Sequence, residues 1–136
     1  MKRNLTLHND VQEIPLLAAF IDEVAETCNI DPHVAMSINL AMEEAVVNVM
    51  NYAYPKGTEG EITVDVELTE NSITFSVTDA GVPFDPTTSA EPDITLSSDD
   101  RPIGGLGIFL VRQMMDSVAY RRENDKNILT LTKTIK

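Results

Sequence analysis

The stretch from Pro32 to Tyr54 constrains the fold more than any other part of the chain. Asn29-Ile30-Asp31-Pro32 is a helix start, with Asp31 as cap and Pro32 at the first position. Val34, Ala35, Met36, Ile38, Leu40, Ala41, Met42, Ala45, Val46, Val47, Val49 and Met50 follow, and Pro55 ends the run. A surface helix needs one apolar stripe. This one is apolar on most of its faces, so it must be sandwiched in a core. Aromatic residues make up only 5% of the chain, there is no Trp, and 43% of residues are apolar. The core is therefore expected to be aliphatic, filled out by Met and Ala.

The remaining segments supply the partners of that helix. Asn4 to His8 reads as a short edge strand. Asn9 or Asp10 can cap a helix running to about Cys28, with Ile14, Leu17, Ala18, Ile21, Val24 and Ala25 at helical spacing. Pro15 fits that helix only in its first turn. After a loop at Lys56 to Gly60, Ile62, Val64, Val66 and Leu68 alternate with polar residues, as do Ile73, Phe75 and Val77 beyond a Glu70-Asn71 turn. Val82 to Arg101 has no periodicity and contains Pro83, Pro86 and Pro92, which suggests a functional lid. A glycine-led helix from Gly104 to about Asp116 follows. Val118–Glu123 and Ile128–Ile135 then form a hairpin across Asn124 to Asn127. Residues 1–136 read as one domain of the α+β class: a two-layer sandwich, its mostly antiparallel mixed sheet carrying helices on one face.

The formal net charge is −12. Such a chain repels phosphate backbones, so direct nucleic-acid binding is disfavoured. A single nucleotide is not excluded, because backbone N–H groups, a metal and a few side chains meet its charge locally. Cys28 is the sole cysteine, which excludes an intrachain disulfide. His8 and His33 have no metal-ligand partner nearby in sequence. Lys2 and Arg3 lead into no apolar signal region, and no apolar run approaches the roughly 20 residues of a membrane span. The expectation is a soluble cytoplasmic protein with no membrane partner.

Three groups of residues have the types that chemistry needs. Glu44 and Asn48 lie four apart, on one face of the apolar helix. They either pair with each other or the backbone, or form part of a site for a hard cation such as Mg²⁺, which takes oxygen ligands and shares them with phosphates. Asp79 continues the buried odd-numbered face after Ile73, Phe75 and Val77. It is either a turn-forming Asp at a strand end or an acceptor for the exocyclic amino group of adenine, with Gly81 leaving room for a flat base. Gly104, Gly105 and Gly107 open a helix. They make either a hinge or a phosphate cradle of N–H groups at a positive dipole end. Rossmann and Walker A patterns are absent. Order and spacing together favour a nucleotide site.

These residues resemble a known superfamily. Glu44-Ala-Val-Val-Asn48 looks like the N box of the GHKL ATPases, Asp79-Ala-Gly81 like their first glycine box and Gly105-Leu-Gly107 like their second. Asp79-Ala-Gly-Val-Pro-Phe-Asp-Pro86 and Gly104-Gly-Leu-Gly-Ile-Phe-Leu-Val111 are similar in detail to the anti-sigma factor serine/threonine kinases of the RsbW type. The resemblance implies a Bergerat-type ATP-binding fold, with ATP and Mg²⁺ as cofactors. It implies Asn48 as metal ligand, Asp79 and Gly81 at the adenine, and Gly105 and Gly107 at the phosphates beside Gly104. It implies Glu44 as general base toward a substrate hydroxyl. Arg101 is the nearest candidate for the basic residue that relatives use on phosphate. Two positions depart from the pattern: Tyr52 stands where many relatives have His, and Pro83 replaces the second Gly of the wider superfamily's box.

The function so implied is a kinase that phosphorylates an anti-sigma factor antagonist and regulates a sigma factor by partner switching, as a homodimer. Three alternatives stand beside it: a nucleotide-gated binding module without transfer, a detached histidine-kinase-like ATPase domain, and an α+β domain that binds no nucleotide.

Overall fold

A computed structural model describes residues 1–55, 57–88 and 105–135. The strands are β1 (Lys2–His8), β2 (Glu61–Leu68), β3 (Ser72–Asp79), β4 (Ser117–Glu123) and β5 (Lys126–Thr134). The helices are α1 (Ile14–Thr27), α2 (Pro32–Tyr52) and α3 (Gly105–Met114). The strands form one sheet in the order β1-β2-β3-β5-β4. Every pairing between them is antiparallel, so the expected mixed sheet is corrected to an antiparallel one among the described residues.

Local chemistry explains the boundaries. The Asp31 carboxylate accepts the His33 N–H at 2.8 Å and caps α2. Pro15 sits in the first turn of α1, where it displaces no helical hydrogen bond. Asp10 accepts the Gln12 N–H at 2.9 Å, capping a short 3-10 turn at Val11–Glu13 that precedes α1. β1 starts two residues earlier than its apolar pattern suggests, because Lys2 and Arg3 extend the ladder opposite Glu67 and Val66. Asn124 and Asp125 both adopt positive φ, the two-residue geometry that suits a tight hairpin between β4 and β5.

The core lies on one face of the sheet. Ile62, Val64, Val66, Ile73, Phe75, Val77, Leu129 and Leu131 are all buried there, with Leu17, Ile21 and Val24 of α1 and Ile38, Met42, Val46 and Val49 of α2 packed above them. Ile108 and Val111 of α3 join the same cluster, and α3 packs against α2. The opposite face carries Thr63, Asp65, Thr74, Ser76, Thr78, Thr130 and Thr132, partly exposed or exposed. Parity alone assigns the faces, since alternate residues of a strand point to opposite sides. None of the helices described is long and apolar enough to cross a membrane.

The C-terminal end of α2 is stitched to the end of β3. Val82 N–H donates to the Ala53 carbonyl at 2.7 Å. A Cβ on Gly81 would stand 2.1 Å from that same carbonyl oxygen, so no larger residue fits without moving the backbone. The Tyr54 hydroxyl donates to the Glu61 carbonyl at 2.6 Å and accepts the Ala80 N–H at 3.0 Å. Gly60 leaves the space that the Tyr54 ring fills.

Two substitutions test this architecture by urea unfolding. Phe75→Ala, at the centre of the core, lowers stability by about 3–5 kcal/mol, while Ser76→Ala on the outer face changes it by less than about 0.5 kcal/mol. Similar small losses from both would contradict a one-sided core. Gly81→Ala costs about 1–3 kcal/mol through overpacking against α2; a neutral result would contradict the close approach.

Candidate functional site

Glu44 and Asn48 lie one turn apart on α2, and no hydrogen bond joins them. Asn48 is buried, with 7% of its surface exposed, and its Nδ2 is fully enclosed with no hydrogen-bond partner among the described residues. An unmet buried donor costs about 1–3 kcal/mol. Glu44 is half-buried and makes no hydrogen bond or ion pair among the described residues. The reading in which these two side chains pair locally is therefore not what the fold does with them. The enclosed Nδ2 calls for an acceptor such as a phosphate oxygen, whereas the amide Oδ1 is the end that suits a hard cation and the Glu44 carboxylate suits acceptance of a proton.

Asp79 ends β3 on the inner face, with 3% of its surface exposed. Its Oδ1 accepts the Gly81 N–H at 2.8 Å and the Asn127 Nδ2 at 2.9 Å. Oδ2 takes no hydrogen bond from the described residues. Burial pushes the carboxyl above its usual range; the Asn127 amide, the Gly81 N–H and the Arg122 guanidinium pull it back. The Tyr54 hydroxyl is raised too, first by burial, with the Asp79 charge adding to it. A buried carboxylate with one oxygen held and the other open is an acceptor site for an amino group.

Gly105 and Gly107 fall in the first turn of α3, where backbone N–H groups lack intrahelical partners. Gly104 and Arg101 lie outside the described residues, as does most of the expected lid from Val82 to Arg101. Its first part, to Thr88, turns back on the site. Asp85 Oδ1 accepts the Thr87 N–H at 2.8 Å, and the Arg112 guanidinium of α3 donates to the Thr87 carbonyl. Tyr52, at the departing position, stacks at a tilt on Phe84 with ring centroids 5.6 Å apart. That contact joins the end of α2 to the segment after Gly81.

Sequence reasoning missed Asn127, Tyr54, Tyr120 and Arg122. Asn127 was absorbed into the hairpin turn, although it shares the inward parity of Leu129 and Leu131; that polar residue on an apolar face was the available signal. Arg122 donates to the Gly81 carbonyl at 2.9 Å, and only the strand register brings these two together.

Comparison with known proteins identifies a family for the chain. The histidine kinase-like ATPase domain family matches residues 7–133. A serine/threonine-protein kinase, BtrW of Bordetella bronchiseptica, is 31% identical over 71% of this chain and 68% of its own length. The serine-protein kinase RsbW of Listeria monocytogenes is 33% identical over 60% of this chain and 54% of its own. The match thus spans from about half to two thirds of these relatives. In a crystal structure of the RsbU and RsbW domains of a Mycobacterium tuberculosis protein, the similar region covers 98% of this chain and 32% of that one, with a TM-score of 0.70 at 17% identity. A histidine kinase domain from Erythrobacter litoralis follows at a TM-score of 0.53 and 13% identity, over 92% of this chain and 60% of that one; both likenesses concern the fold. With one family spanning nearly the full length and sequence relatives agreeing on a branch, the chain belongs to the histidine kinase-like ATPase domain family, among the RsbW-type serine/threonine kinases.

Proposed function

We propose that this chain is an ATP-dependent protein serine/threonine kinase that phosphorylates an anti-sigma factor antagonist, and that it regulates a sigma factor by partner switching. One observation carries the reading. On α2, Asn48 and Glu44 stand one turn apart, and neither side chain has a hydrogen-bond or ion-pair partner among the described residues. Membership of the family supports ATP use, and the names of the relatives support a hydroxyl side chain as acceptor.

In this reading the adenine amino group meets Asp79, and the phosphates meet the N-terminal N–H groups of α3 at Gly105 and Gly107, with Gly104 and Arg101 as further contacts. Asn48 would hold Mg²⁺ through its amide oxygen, and the metal would supply positive charge toward the phosphate oxygens. Glu44 accepts the hydroxyl proton as the new oxygen–phosphorus bond forms and ADP departs. Phosphoryl transfer asks mainly for positioning and charge stabilisation, which this small set of groups can supply. A cytoplasmic location, as the sequence leads one to expect, and a homodimer, as the family resemblance implies, complete the proposal; sedimentation at micromolar concentration checks the second.

The test is transfer of labelled γ-phosphate to a co-encoded antagonist protein. Wild type forms a phosphate ester on Ser or Thr. Glu44→Ala binds ATP within about threefold of wild type yet loses transfer by roughly 10²–10⁴-fold, the usual reach of a general base. Tight ATP binding with no transfer by wild type would leave a nucleotide-gated binding module. Acid-labile phosphate on a partner His would point to the histidine-kinase alternative. Loss of both binding and transfer in Glu44→Ala would make that residue structural.

A further inference from the structure

The inner face of the sheet ends in a polar row. Register places Asp79 of β3 opposite Asn127 of β5, and Asn127 opposite Arg122 of β4. Asn127 is buried, with 3% of its surface exposed. Its Nδ2 donates to Asp79 Oδ1 at 2.9 Å and to the Val82 carbonyl at 2.8 Å. Its Oδ1 accepts the Phe84 N–H at 3.2 Å and the Tyr120 hydroxyl at 2.5 Å. A primary amide has two N–H donors and two acceptor lone pairs, so these bonds use its full capacity.

The partners also fix which end of the amide is which. The Phe84 N–H can only donate, and the Val82 carbonyl can only accept. An inverted amide would set donor against donor and acceptor against acceptor. An ionised Asp here has no donor to offer, Ser or Thr offers one, and Gln is longer by a methylene. Asn suits all four bonds at this register position.

We propose that Asn127 is a positioning residue for base recognition: by holding Asp79 Oδ1 it leaves Oδ2 as the acceptor for a purine 6-amino group, and by gripping Val82 and Phe84 it fixes the turn that follows. This rests on the nucleotide-site reading above. The same arrangement disfavours a 6-oxo purine, whose carbonyl would face the carboxylate. Among described residues, the other charged or titratable groups that bear on Asp79 are Arg122 from β4 and Tyr54 from just beyond α2, the latter beside Glu61 of β2.

Recognition of an amino group needs Asp79 ionised. Because burial raises its pKa, affinity for ATP falls as pH drops through that raised value. Loss of the Asn127 donor raises it further, so the acid limb of binding moves to higher pH.

The experiment titrates the full chain with ATP and with purine riboside triphosphate, which lacks the amino group, from about pH 5 to 8. Wild type prefers ATP by about tenfold or more, as for a hydrogen bond to a charged group. Asn127→Ala lowers that ratio by at least about threefold, toward the value of Asp79→Asn, and shifts the acid limb upward. Tyr120→Phe, which removes one bond to Asn127, moves both readouts in the same direction by less, and decides the matter if Asn127→Ala does not fold. Equal weakening of the two nucleotides with an unmoved acid limb overturns the proposal, because a purely structural residue acts that way. A wild type that binds both nucleotides equally well overturns the Asp79 reading beneath it instead.

Discussion

The burial of one broad face of α2 sets the terms for the rest of this structure; Met36 and Leu40, expected in the core, stay exposed on its other side. The sheet lies beneath it, α1 and α3 pack against it, and Ile38, Ala41, Met42, Ala45, Val46 and Val49 are buried by these neighbours. At roughly 25 cal/mol per Å² of apolar surface, burial on this scale dominates the stability of a small domain. It also makes any polar side chain on the enclosed surface expensive. Asn48 is such a side chain, and its Nδ2 has no partner among the described residues. A helix so well suited to a core holds an amide that the core does not use, which is the physical ground for placing a ligand beside it.

The same logic operates at the far end of the sheet. Asp79 is as buried as the aliphatic residues before it on β3, yet its environment is built rather than merely tolerated. A backbone N–H, an amide and a guanidinium converge on one oxygen or its surroundings. Gly81 is pressed so close to Ala53 that the turn after β3 cannot drift from α2. Tyr54 spans from β2 to Ala80 across that junction. The metal candidate on α2 and the base candidate on β3 are thus parts of one packed unit. A ligand touching both meets groups whose relative positions the core already fixes, and preorganisation of this kind is what positioning catalysis requires.

Much of this was legible in the chain. Helical spacing located α1 and α2, Asp31 and Pro32 marked a helix start, and strand parity put Asp79 on the inner face. What escaped reading depends on partners distant in sequence. Asn127 lies in an Asn- and Asp-rich stretch that reads as turn, because Asn124 and Asp125 do take the positive φ of a tight hairpin; only pairing with β3 shows that Asn127 faces inward. The order β3-β5-β4 is not written in a hairpin motif, which fixes two neighbours but not which of them meets the rest of the sheet. Gly81 was expected to make room for a base. Its packing against the Ala53 carbonyl is a second constraint, visible only once α2 is in place.

If Asn48 and Asp79 bound one Mg-ATP site, calorimetric titration with ATP in the presence and absence of Mg²⁺ reveals it. Mg²⁺ then tightens binding of ATP to wild type by about tenfold or more, and Asn48→Ala abolishes this difference while keeping the fold. An undiminished Mg²⁺ effect in Asn48→Ala, or equal heats with and without the metal in wild type, would contradict it.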